Sequence, residues 1–165
     1  MKRLSLHPHL ETLFALWADP REAAQAMSQT ITDDFLDHIF IAEAAEDAPP
    51  IRIAKAGGAL NGAFADGLQD KNLLSLFEGH DRTLLWSLLN IIKSKAQPAL
   101  VRLRVRTDES ATVDVDLALA PLGGGEPRTT RWLGFYQPNG PLHGVIQSQE
   151  IVAVHLQKPV RQAKA

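Results

Sequence analysis

The stretch "VRLRVRTDESATVDVDLALAPL", Val101 to Leu122, constrains the fold more than any other part of the chain. Val101, Leu103 and Val105 share one parity, and Arg102, Arg104 and Arg106 the other. Beyond Glu109, Val113, Val115, Leu117 and Leu119 alternate with Asp114, Asp116, Ala118 and Ala120. A period of two is that of a strand with one apolar face. A turn centred on Glu109 sets Arg104 opposite Asp114, Arg102 opposite Asp116, Val105 opposite Val113 and Leu103 opposite Val115. Slipping this pairing by one residue would turn the apolar set outward, so the pattern pins the register of an antiparallel hairpin. The arginine row could serve as an anion site. Its carboxylate partners are already across the ladder, each pair worth about 0.2–1 kcal/mol, which makes it a polar sheet face.

The neighbouring segments extend this sheet. "GGGEPR" separates strand 112–122 from a strand at 131–137, and glycine supplies the positive φ values that a hairpin loop needs. No helix follows it, as a phosphate-cradling loop requires, and Gly57, Gly58 and Gly62 do not make a GxGxxG spacing. Upstream, Asp81 reads as the N-cap of a helix through "RTLLWSLLNIIKSK". Leu84, Leu85, Leu88, Ile91 and Ile92 form its apolar face, Lys93 and Lys95 suit its C-terminal dipole, and Pro98 follows its end. "FLDHIFI" from Phe35 to Ile41 and "IRIAK" after Pro49-Pro50 read as two strands. Between Ile51 and Phe77, the turn residues Gly57, Gly58, Asn61, Gly62 and Gly67 break the chain into short helices. Leu10, Leu13, Phe14 and Trp17 recur at helical spacing, and Asp19-Pro20 ends that helix and starts a second.

With 165 residues and 45% hydrophobic content, one core is the natural expectation. A net charge of −2 with scattered cations gives no electrostatic footprint for nucleic acid. The chain has no cysteine, which excludes disulfides, thiolate metal sites, a thiol nucleophile and any cysteinyl adduct with a flavin. Lys2 and Arg3 precede apolar residues interrupted by His7, Pro8, His9, Glu11 and Thr12, so no secretory leader is read there. No run approaches the about 18 apolar residues of a membrane span, and a cytoplasmic location is expected. Ser75, Ser87 and Ser94 all fall in helix-like sequence without a nucleophile elbow. His7, His9, His38, His80, His143 and His155 have no metal-ligand spacing, and Asp33, Asp34, Asp37 and His38 read as a solvated helix start after Thr32. Asp114 and Asp116 face arginines rather than a reacting group. No catalytic residue, metal or resident cofactor is therefore assigned.

The order of these elements resembles the PAS family, and two segments carry the resemblance. "IRIAKAGGALNGAFADGLQDKNLLSLF" is similar to the strand end, small helix and turn of a subgroup of short, stand-alone bacterial PAS proteins. "LALAPLGGGEPRTTRWLGFYQP" is similar to that subgroup's terminal hairpin through Pro121, Leu122, Gly124, Arg131, Leu133, Gly134 and Pro138. The resemblance implies an α+β fold, a five-stranded antiparallel sheet covered by short helices and one longer helix, with N-terminal helices before it. The implied division is a helical segment at 1–30, a PAS-like domain at 31–138 and a C-terminal extension at 139–165. Within the extension, Ile151 to Leu156 is β-prone and either adds a strand to a sheet edge or stays loose.

What the resemblance implies for function is sensing and regulation by protein contact in signal transduction, without catalysis. PAS domains enclose a cavity that holds a haem, a flavin or a small metabolite, or that is filled by side chains. Phe40, Ile53, Phe64, Leu73, Trp86, Leu103, Val115 and Leu133 are the candidate lining. A haem would need His38 or His80, and the usual photoactive flavin chemistry lacks its cysteine. The alternatives are a small-molecule binding protein without its own output and a small α+β enzyme. For contact with a second copy or another signalling protein, the candidates are Leu10, Leu13, Phe14 and Trp17 on the N-terminal stripe, which packs against a second copy or the outer sheet face, or else simply covers its own sheet, with Trp132 and Tyr136 expected exposed on the outer face.

Overall fold

The computed structural model describes residues 36–46, 48–123 and 127–157. Strands β1 (Ile39–Ala45), β2 (Ile51–Ala56), β3 (Ala99–Thr107), β4 (Thr112–Leu122), β5 (Thr129–Pro138) and β6 (Ile146–Leu156) form one sheet in the order β2-β1-β5-β4-β3-β6. All neighbours are antiparallel. Between β2 and β3 the chain passes through helix α1 (Gly58–Gly62), a 3-10 turn (Leu73–Leu76) and helix α2 (Gly79–Lys95). The expected α+β architecture is formed, with six strands rather than five. The segment expected to form N-terminal helices, with Leu10, Leu13, Phe14 and Trp17, falls outside the described residues.

The β3–β4 hairpin has the register that its charges dictate. Arg102 pairs with Asp116, Leu103 with Val115, Arg104 with Asp114 and Val105 with Val113. Arg102 Nε lies 3.0 Å from Asp116 Oδ1, and Arg104 Nε 3.9 Å from Asp114 Oδ1. The opposite, apolar face packs against α2 through Leu85, Leu88, Leu89 and Ile92, forming the main core with Ile51, Ile53, Leu103, Val105 and Val115. The glycine-rich link after Leu122 joins paired strands, with Leu122 opposite Arg131.

Helix α2 begins two residues before the expected cap. Glu78 holds the N-cap position, and Asp81 sits in the first turn, where its charge suits the dipole. Its Oδ2 accepts a hydrogen bond from the Ile151 amide of β6 at 3.0 Å. One carboxylate thus ties the longest helix to the last strand. The end of α2 is a left-handed Ala96, after which Gln97 Nε2 donates to the Gln157 carbonyl and Gln157 N to Pro98 O.

The added strand, β6, runs eleven residues along β3 from Ile146 opposite Thr107 to Leu156 opposite Ala99. Its first half, "IQSQE", has little strand character of its own. It is held because the edge of β3 offers a full row of backbone partners that ask nothing of the side chains. The opposite edge, β2, is also covered. Ile53 N donates to Lys71 O and Asp70 N to Ile53 O, while Asn72 Oδ1 accepts from Ile51 N at 3.0 Å and Leu74 N at 3.2 Å.

Candidate functional site

The space between sheet and helices, where the sequence reading puts a ligand cavity, is closed by side chains. Phe40 of β1 stands opposite Gly134 of β5, and its ring occupies the place where a β-carbon at Gly134 would be. Leu60, Phe64, Leu68, Leu73, Leu76 and Phe77 come down from the cover and meet Leu117 of β4. About 10 Å³ remains between them. That is at most the room of a single water, which needs about 10–15 Å³ by this measure.

One polar pair borders this void. The Tyr136 hydroxyl donates to Gln149 Oε1 at 2.7 Å, and both residues are buried. Burial pushes the Tyr136 phenol far above its ordinary value, because its anion would have to shed water in an apolar surround. The Phe64 ring meets Tyr136 edge-on at 6.4 Å. Further along β5, Trp132 Nε1 donates to the Leu89 carbonyl of α2 at 3.1 Å. Gln149 reaches this site from β6 and was not among the expected lining. The signal for it would have been a lone polar residue on the inward parity of an edge strand, unreadable without knowing that β6 exists.

Among the expected cavity residues, Phe40, Phe64 and Leu73 border the void. Ile53, Leu103 and Val115 are fully buried in the same core, and Trp86 packs against it partly exposed. Leu133 is placed differently. It faces the opposite side of the sheet, against a second cluster of Leu100, Ala118 and Phe135. The expectation of exposed Trp132 and Tyr136 is corrected with it, since they are 1% and 4% exposed on the inner face. The reason is the parity of β5, in which Trp132, Gly134 and Tyr136 point inward. "WLGFY" is apolar on both faces, as in a strand with neighbours on each side, so alternation alone does not choose between them.

A haem or a flavin does not fit the interior. Of the two histidines considered for haem, His38 lies beside Phe135 of the second cluster, ring centroids 6.2 Å apart, and His80 is exposed at the start of α2. Neither is directed at the void. Among the described residues, no group of three or more His, Asp or Glu is placed to hold a metal ion. Among the described residues, an open cleft lies at one end of the sheet. A cleft of about 480 Å³ runs between α1 and the end of β5, lined by Ala59, Gly62, His38, Gln137, Pro141 and Gly144 among others. Leu60 and Tyr136 belong to both the cleft and the closed void and form the wall between them.

An antiparallel sheet under a cover of short helices and one longer helix is the arrangement that the sequence resemblance implied, here in the strand order β2-β1-β5-β4-β3 with β6 added. The PAS domain family model matches residues 5–137. The chain belongs to the PAS family. No curated relative matches it. Among solved structures, the light state of the blue-light photoreceptor Aureochrome1 LOV is 17% identical with a TM-score of 0.46, covering 66% of this chain and 85% of that one. The Rhodobacter sphaeroides LOV protein is 17% identical with a TM-score of 0.45, over 66% of this PAS chain and 65% of its own. An RNA-binding light-oxygen-voltage receptor is 20% identical with a TM-score of 0.42, over 84% and 35%. These likenesses are too distant to carry ligand chemistry or partners to this PAS domain.

Proposed function

We propose that this PAS domain is a sensory and regulatory module of bacterial signal transduction. It acts by protein contact, as a homodimer or with another signalling protein, in the cytoplasm and without catalysis. The observation that carries this reading is the filled interior, about 10 Å³ between closely packed side chains, which leaves the module its surface as the means of response. The non-catalytic part is supported by the chemistry of the interior, where the polar pair bordering the void is a phenol and a carboxamide, neither charged near neutral pH. Membership of the PAS family supports the sensory part. Among the described residues no helix is long and apolar enough to cross a membrane.

Native mass spectrometry of the protein isolated from its own host, with light scattering and an absorption spectrum, tests the reading. The expected result is twice the mass of one polypeptide with no added small mass and no visible band. A bound cofactor mass overturns the filled-interior argument, and a strictly monomeric mass removes the homodimer.

A second reading, a small-molecule binding module, is favoured by the open cleft. Its about 480 Å³ falls within the roughly 300–1,000 Å³ of small-ligand sites. Gly62 lines it, and a β-carbon there meets no atom within 4 Å, so Gly62→Leu is expected to be accommodated and to narrow the cleft. A small mass present on the native chain and missing from this variant would place the ligand in the cleft. Equal retention by both would exclude it.

A further inference from the structure

The sheet has two edges, and they are finished differently. At β2 the backbone is taken up by residues 70–72, through Ile53 N to Lys71 O, Asp70 N to Ile53 O and the bridge between Arg52 and Asn72. At the other edge, β6 pairs with β3 alone. Among the described residues, the backbone of 148–156 makes one bond to any further element, from Ile151 N to Asp81 Oδ2. Natural strand edges are commonly guarded by lysine or proline. "IQSQEIVAVHL" contains neither, and its ionisable residues are Glu150 and His155. Three of the four exposed large apolar side chains among the described residues border this edge: Val152 at 48%, Leu156 at 45% and, on α2 three residues beyond Asp81, Leu84 at 36%. Helix α2 follows the same stretch, tied to it from Asp81 to Ile151 and from Gln97 to Gln157. The edge thus offers backbone groups for a further strand, with apolar side chains beside them.

We propose that β6 takes a second copy of itself, pairing antiparallel with β6 of the partner so that two sheets join into one. The strand is complementary to itself in one register. Pairing with β3 fixes its faces: Glu150 lies opposite Arg104 and His155 opposite Leu100 on the outer face, Ile151 opposite Leu103 and Val154 opposite Val101 on the core face. Val152 is the extra residue between these halves, where the register with β3 shifts. A two-fold axis between Val152 and Ala153 sets Glu150 against His155 of the partner subunit and Ile151 against Val154 of the partner subunit, each pair occurring twice. A carboxylate then accepts from an imidazole on the outer face, and aliphatic side chains meet on the core face. In a regular strand, residues three or five apart lie on opposite faces and such pairs would miss each other. The extra residue, present at the axis in both strands, brings them to the same face.

The proposal rests on the homodimer reading above and gives that dimer its seam.

The lack of any cysteine lets the test read the register. Full-length Glu150→Cys and His155→Cys chains, both altered at side chains that reach solvent, are co-expressed and oxidised. The expected product is a disulfide between one chain of each kind, read as twice the mass of one polypeptide on a non-reducing gel, because directly opposed residues stand about 4.5–5.5 Å apart. Either variant alone is expected to give no link, since its two cysteines would lie about 16 Å apart along the paired strands. Equal linking by a single variant, or none from the mixture while light scattering still gives a dimer, overturns the seam and leaves the homodimer reading standing. A monomeric mass for the unmodified chain removes both, and leaves the edge to a strand of a different protein. Should the cysteine variants fold poorly, amide hydrogen exchange of the unmodified chain answers. The amides of 150–155 are expected to exchange more slowly at high protein concentration than on dilution, and exchange indifferent to concentration overturns the proposal.

Discussion

Tyr136 is the one tyrosine of the chain, and its hydroxyl is held by Gln149 beside an otherwise apolar void. Its phenol is raised by burial, and the sign of the resulting pH dependence is fixed. Below about pH 10 the phenol is protonated in folded and unfolded chains alike, and its stabilisation is fully present. Above that, the unfolded chain gives up its proton while the folded one keeps it, so stability falls as pH rises. Tyr136→Phe is expected to remove that alkaline slope. At neutral pH it should cost about 1–3 kcal/mol, because Gln149 Oε1 loses its donor inside the protein. Urea unfolding at neutral and alkaline pH reads both effects. Gly134 is equally specific. An alanine there would place its methyl in the Phe40 ring, so Gly134→Ala is expected to destabilise by about 1–3 kcal/mol. Phe40→Leu in the same chain should recover part of the loss in a double-mutant cycle, and strict additivity would show that the ring is not what the methyl meets.

At the scale of elements, the β3–β4 hairpin contains two ion pairs that look alike in sequence and differ in environment. The Asp116 side chain is 2% exposed and bonded to Arg102 and to Asn139 Nδ2, whereas Arg104 and Asp114 are both more than half exposed and 3.9 Å apart. Arg102→Ala is expected to cost about 1–3 kcal/mol, since it strips a buried carboxylate of a charged donor. Arg104→Ala should cost less than about 0.5 kcal/mol. Equal losses in denaturant titrations would contradict this distinction. The hairpin register was legible because charge and apolarity alternate on opposite parities. β5 was not, because "WLGFY" has no polar parity, and so Leu133, Trp132 and Tyr136 were read on the wrong faces. Helix α2 was legible from its apolar face, but Asp81 looks like a cap in sequence and in the fold serves the Ile151 amide seventy residues away. That role depends on a tertiary neighbour that no local pattern encodes.

For the whole molecule, the order of elements and two motif segments were enough to point to the PAS fold. The state of the interior was not, since the same inward residues can either line a cavity or fill it. What decides is how far Phe40, Phe64, Leu73 and their neighbours interdigitate, a matter of fractions of an ångström. With the interior filled, added flavin mononucleotide or haemin is expected to leave the thermal midpoint unchanged. A ligand that binds only the folded state at a hundred times its dissociation constant would add about 2.7 kcal/mol. A saturable rise in the midpoint would show that the core opens. The attachment of β6 also gives the molecule a mechanical polarity. Because β6 is antiparallel to β3 and leaves the sheet at Leu156 opposite Ala99, tension applied from residue 157 loads the ladder one pair at a time, as in a zipper. The Gln97–Gln157 clamp yields first, and the peel must travel past Val154 and Ile151 before it draws Gln149 out from under Tyr136. The tail can therefore be pulled some distance before the interior registers it.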